Sequence, residues 1–216
     1  MTAAIDFYFD FVSPDSYLAS TVLPGVAASH GTVIDYRPFT LIDLMQKVGN
    51  RPTTIECQNK GVYVMADLQR LAKRYRVEFT ANPAWPRIDF AELGRGALVA
   101  LDEGCGADYV AAVFRGIWGD AADLSLRPKL MDVLAQAKLD GGHLLQRAAS
   151  PEYIVRLKES TAAAAGRGVF GSPTMFVGKE MFFGRSFRFH DPGVSACGVV
   201  SEDREVWHAP VLPGRS

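Results

Sequence analysis

A chain of 216 residues with 48% hydrophobic side chains can bury a full core, and its composition argues against wholesale disorder. The 23 basic and 24 acidic residues leave a formal net charge of -1, which speaks against a dedicated nucleic-acid surface, and no apolar run reaches the roughly 18 residues of a membrane span. Cys57, Cys105 and Cys197 form no C-x-x-C pair, and His30, His143, His190 and His208 lack metal-ligand spacing, so neither a disulfide framework nor a metal site is signalled.

Met1-Thr2-Ala3-Ala4-Ile5 enters a strand at once, without the basic region, apolar stretch and cleavage site of a signal peptide. A cytoplasmic protein is expected. Ile5 to Phe11 (IDFYFDF) alternates apolar and acidic residues and meets Val12-Ser13-Pro14. That pattern predicts a strand running into a helix, with Ser13 as N-cap and Pro14 at the first helical position. Leu18 and Val22 continue the helix at i, i+4 spacing; Pro24 is expected to kink or end it, and Gly31 to punctuate it. Thr32 to Phe39 (TVIDYRPF) reads as a second strand, parallel to the first across a βαβ crossover.

From Thr40 to Ala165 the period becomes helical. Five amphipathic stripes follow one another: Val64 to Tyr75, Leu93 to Leu101, Tyr109 to Trp118, Leu130 to Ala137, and Ile154 to Thr161. With no strand between them they imply a helical block. Beyond Gly171, Pro173 to Val177 (PTMFV), Gly178-Lys179 and Glu180 to Phe183 (EMFF) read as a hairpin. The simplest architecture is one α/β domain interrupted by a helical insertion. Gly184 to Ser216, with scattered glycines and prolines, offers no helical stripe to close the second face of the sheet.

Gly166, Gly168 and Gly171 spell G-x-G-x-x-G. A dinucleotide motif needs a strand before it and a helix after. Here a helical alanine run precedes and a strand follows, so a helix stop and a loop explain the glycines. Ser13, delivered by a strand to the first turn of a helix, occupies a position that stabilises an anion; taken alone it reads as a capping serine worth about 1 kcal/mol. Ser172-Pro173 heads a strand: a trans proline, the common form, would merely start it, whereas a cis bond would present the backbone of Ser172 to a ligand.

The segments FYFDFVSPDSYLA, GNRPT, KGVYVMADLQRLAKRY, VFRGIWG and VFGSPTMFVGKEMFFG resemble the 2-hydroxychromene-2-carboxylate isomerases, relatives of the kappa-class glutathione transferases. The likeness runs from about Ile5 to Gly184. It implies an α/β fold class: a thioredoxin-like domain interrupted by an all-helical insertion, on the DsbA and kappa-class plan. The thioredoxin-like domain would be discontinuous (residues 1–39 and 166–184), the helical insertion would span residues 40–165, and residues 185–216 would form an irregular tail without an evident closing helix. Redox members carry Cys-x-x-Cys at the helix start; Ser13-Pro14-Asp15-Ser16 stands here, so dithiol chemistry is absent.

The resemblance also implies glutathione as cofactor. Ser13 would be the catalytic residue, donating to the glutathione sulfur and favouring its thiolate. Ser172, Pro173, Phe183 and Gly184 would join Ser13 in binding the cofactor, with the Ser172-Pro173 bond cis so that the backbone of Ser172 turns toward it. Asn50, Arg51, Lys60 and Trp85 would face a small aromatic carboxylate substrate. The implied activity is isomerisation of 2-hydroxychromene-2-carboxylate to the benzylidenepyruvate in aromatic degradation, by a cytoplasmic homodimer without nucleic-acid or membrane partners. A kappa-like transferase or peroxidase and a non-catalytic glutathione-binding paralogue are the alternatives.

After Phe182-Phe183-Gly184 the family places a polar pair ending in Asp-Arg; Arg185-Ser186-Phe187-Arg188 stands here and lacks the acid. A shifted reading frame would account for this. If Arg185 to Gly193 are encoded cga tcg ttt cga ttt cat gac cca gga, starting one base later gives Asp-Arg-Phe-Asp-Phe-Met-Thr-Gln, which restores the pair and opens an amphipathic helix.

Overall fold

The computed structural model describes residues 4–184. The expectations for Arg185 onward lie outside them.

Strand β1 (Ile5–Phe9) buries Ile5, Phe7 and Phe9 on one face, as its period-2 pattern requires. Helix α1 (Pro14–Ser29) starts as predicted: Ser13 is extended and its hydroxyl oxygen accepts the Ser16 amide. The helix does not end at Pro24. The helix runs through it because Pro24 lies on the exposed side, where water can meet the carbonyl that loses its donor. Gly31, at φ +60°, ends the turn that follows.

Strand β2 (Ile34–Pro38) pairs parallel with β1, from Ile5 opposite Ile34 to Phe9 opposite Pro38. Strands β3 (Thr174–Val177) and β4 (Glu180–Phe183) form the predicted hairpin through Gly178 at φ +61°. β3 adds antiparallel to β1, so the sheet order is β2-β1-β3-β4.

Between β2 and β3 lie α2 (Leu41–Val48), α3 (Thr53–Glu56), α4 (Gln58–Tyr75), α5 (Phe90–Asp102), α6 (Gly106–Phe114), α7 (Arg127–Gln136), α8 (Gly141–Ala148) and α9 (Pro151–Gly166). α6 continues into a π turn over Arg115–Gly119. The five stripes correspond to α4, α5, α6 with its π turn, α7 and α9. α2, α3 and α8 have only four to eight residues, too few turns for a period to show. α9 stops in a Schellman arrangement: Val169 donates to the Ala164 carbonyl and Gly168, at φ +92°, to that of Ala165. Gly166 and Gly168 are therefore part of a helix stop, and Gly171 lies in the loop that follows.

One core joins the sheet to the helices. Phe9 and Phe11 pack on Phe114 with ring centroids 5.6 and 4.7 Å away, and the cluster extends through Leu18, Tyr109, Ala97 and Leu145. Burying each large apolar side chain contributes roughly 1.5–3 kcal/mol. A smaller cluster of Tyr8, Phe39, Leu44, Ala164, Val169 and Phe176 covers the other sheet face. Among the described residues no helix is long and apolar enough to cross a membrane.

Candidate active site at the start of helix α1

Because β3 runs antiparallel beside β1, with Tyr8 opposite Thr174, the residues leaving β1 meet those entering β3. The Ser13 hydroxyl donates to the Ser172 carbonyl at 3.1 Å while its oxygen accepts the Ser16 amide at 3.2 Å. The Ser16 and Ser172 hydroxyls lie 2.7 Å apart, and the Asp10 amide donates to Ser172 Oγ at 3.0 Å. Ser172-Pro173 is cis. Ser13 and Ser16 are both buried. Trp118 Nε1 donates to the Phe11 carbonyl at 2.9 Å and pins the turn between β1 and α1.

This arrangement gives Ser13 the capping role and more. Its one proton points across to the β3 loop, at the positive end of a 16-residue helix. Turned from the Ser172 carbonyl toward an anion, the same hydroxyl becomes a charge-assisted donor. A thiol sulfur placed there would lose its proton more readily.

Asp10 is the buried acid of the site. Its Oδ1 accepts the Val12 amide at 3.1 Å and its Oδ2 the Leu41 amide at 2.7 Å. Burial pushes its carboxyl up to about 6, against the pull of these amides and with a further push from Asp43.

The remaining candidates fall into two groups. Phe183, Gly184 and Asn50 surround the Ser172 loop. The Phe183 ring lies 4.5 Å from that of Phe170, and a Cβ on Gly171 would come within 2.6 Å of it. Gly184, at φ +68°, donates to the Pro173 carbonyl at 2.9 Å. Asn50 follows the left-handed Gly49 that ends α2, and its Nδ2 donates to the Phe170 carbonyl at 2.7 Å.

Arg51, Lys60 and Trp85 belong to the second group. Arg51 pairs with Glu56 at 2.9 Å, Lys60 Nζ donates to Thr53 Oγ1, and Trp85 stands half-exposed in a 3-10 turn (Trp85–Arg87). Among the described residues no hydrogen bond or ion pair joins these three to Ser13 or Ser172. The turn itself is anchored by buried Asn82, which donates to the carbonyls of Ile117 and Ala122.

Sequence reasoning missed Asp10 and Ser16. Asp10 carried a local signal: an aspartate two residues before an amide it can cap is an Asx turn. Its bond to Leu41 and the Ser16–Ser172 contact are tertiary and leave no trace in spacing.

The chain matches the model of the DSBA-like thioredoxin domain over residues 4–189. It is 36% identical over 185 residues to the 2-hydroxychromene-2-carboxylate isomerase of Sphingobium xenophagum, covering 85% of this chain and 93% of that protein. It is 27% identical to glutathione S-transferase kappa 1 of Caenorhabditis elegans, covering 86% and 87%. The solved structure of a selenomethionine 2-hydroxychromene-2-carboxylate isomerase superposes with a TM-score of 0.77 at 32% identity, over 84% of this chain and 89% of that one.

Proposed function

The chain belongs to the DSBA-like thioredoxin family and, within it, to the 2-hydroxychromene-2-carboxylate isomerases, and from that membership we propose that it is a glutathione-dependent isomerase of 2-hydroxychromene-2-carboxylate or a close aromatic relative. The observation that carries the reading is the meeting of Ser13, at the start of α1, with Ser172 at 3.1 Å.

The residues present suit glutathione. A hydroxyl donor at a helix N-terminus matches a thiolate. The Phe170–Phe183 pair and the Gly184 turn flank the β3 loop, where an extended peptide can lie along backbone groups. Bound there, glutathione would supply a thiolate nucleophile for the isomerisation and would be returned unchanged. Ser13 holds the proton that faces the sulfur, and α1 adds its positive end. Ser172 and Pro173 position the peptide. Asn50, Arg51, Lys60 and Trp85 are assigned to the aromatic carboxylate, with the two cations as carboxylate partners. A homodimeric, cytoplasmic enzyme of aromatic degradation belongs to the same reading, as does a division into a thioredoxin-like domain and a helical insertion.

The kappa-class likeness favours one competing reading, transfer of glutathione to an electrophile. Incubating the chromene carboxylate with a substoichiometric amount of glutathione separates the two. Full conversion to the isomer without conjugate is expected. Conversion that ignores glutathione would overturn the reading, and conjugate accumulation would replace it with the transferase.

A further inference from the structure

Asp10 uses all four of its polar groups to join parts of the chain that sequence keeps far apart. Its amide donates to Ser172 Oγ and its carbonyl accepts the Ser13 amide at 3.1 Å. Its carboxylate takes the Val12 amide, inside the turn that carries Ser13, and the Leu41 amide, the first residue of α2. The far end of α2 returns to the same place. Asn50, just after the helix, donates its side-chain amide to the Phe170 carbonyl, two residues before Ser172. Asp10, α2, Asn50, the Phe170–Ser172 loop and Asp10 again form a closed ring. Ser13 and Ser172 sit side by side on it.

We propose that Asp10 is a positioning residue for this site, and that α2 is the strut through which it sets the Ser172 loop against the Ser13 hydroxyl. The carboxylate fixes the turn before α1 through the Val12 amide and the start of α2 through the Leu41 amide. With that amide in place, the helix projects Asn50 to the Phe170 carbonyl. A buried carboxylate with two amides on it is a stronger acceptor than a neutral oxygen, which is what a ring that must not slacken needs. The inference takes its functional meaning from the glutathione reading above; the ring itself does not depend on it.

Two measurements on the full-length protein test the proposal, with Asp10→Asn and, at the exposed far end of the strut, Asn50→Ala. The first is amide hydrogen exchange, read without any ligand. Asp10→Asn should accelerate exchange together in peptides covering residues 10–16, 41–50 and 168–174, and Asn50→Ala should do so in 168–174. Acceleration confined to 41–50 would reduce Asp10 to a local cap of α2 and overturn the proposal. The second is calorimetric titration with glutathione. Loss of one charge-assisted bond predicts affinity weaker by roughly tenfold or more in Asp10→Asn, with the far-ultraviolet spectrum unchanged. Unchanged affinity in a variant whose three segments have loosened would also overturn it. Coupled exchange in a protein that binds no glutathione would refute the glutathione reading and leave the ring standing.

Discussion

Ser13 serves two partners with one oxygen, and the two roles separate energetically. As the N-cap it accepts the Ser16 amide, so Ser13→Ala should lower stability by about 1 kcal/mol, measured by urea denaturation. A change near zero would mean that the cap is made by another group. Asp10 gives a second residue-scale prediction. Its folded value lies near 6 against an ordinary 3.8, so the native state binds the proton more tightly than the unfolded chain. The stability this group contributes is therefore present below about pH 4 and declines until about pH 6, by up to about 3 kcal/mol at 1.36 per unit. Asp10→Asn should flatten that part of the profile.

Asp102 has the opposite sign. Hydrogen bonding from Arg156 holds it down at about 2, with Tyr153 adding to the effect. Its contribution is present above pH 4 and is lost as pH falls through about 2. A melting-temperature series across pH 2–7 separates the two windows.

At the scale of elements, α5 and α6 pack closely at Gly96. A methyl on Gly96 would overlap the hydroxyl of Tyr109, which is fully buried and donates to the Leu93 carbonyl at 3.2 Å. With nowhere for the ring to move, Gly96→Ala should cost about 1–3 kcal/mol or more. Gly25, inside α1 with nothing within 4 Å of an added Cβ, is the matched control: Gly25→Ala should stabilise by about 0.5–1 kcal/mol. Equal effects at the two sites in chemical denaturation would contradict this packing. The same scale explains what could be read in advance. The start of α1, the stop of α9 and the β3–β4 hairpin were legible because Ser13-Pro14, Gly168 and Gly178-Lys179 are local chemistry. The short helices α2, α3 and α8 were not, and whether α1 would end at Pro24 was not either, because exposure decides whether a proline can be carried. Asn50 was legible only as a motif residue; its partner at Phe170 lies 120 positions away.

At the scale of the molecule, the strand order does the assembling. Setting β3 antiparallel to β1 brings residues 156 to 162 positions apart in sequence into hydrogen-bond contact around Ser172, and an aromatic core lies beneath them. The family match ends at residue 189, and the gene sequence is the test of the shifted frame inferred for the stretch from Arg185. Codons that cannot yield Asp-Arg one base later would end that idea. The claim on which the functional account turns is that Ser13 acts on the sulfur of bound glutathione. Ultraviolet titration of the thiolate in the glutathione complex measures this. The account predicts a thiol pKa well below that of free glutathione in the wild-type complex and a rise of about 1–2 units in Ser13→Ala, the equivalent of one charge-assisted hydrogen bond. Identical titration curves for the two proteins would contradict it and leave Ser13 as a cap.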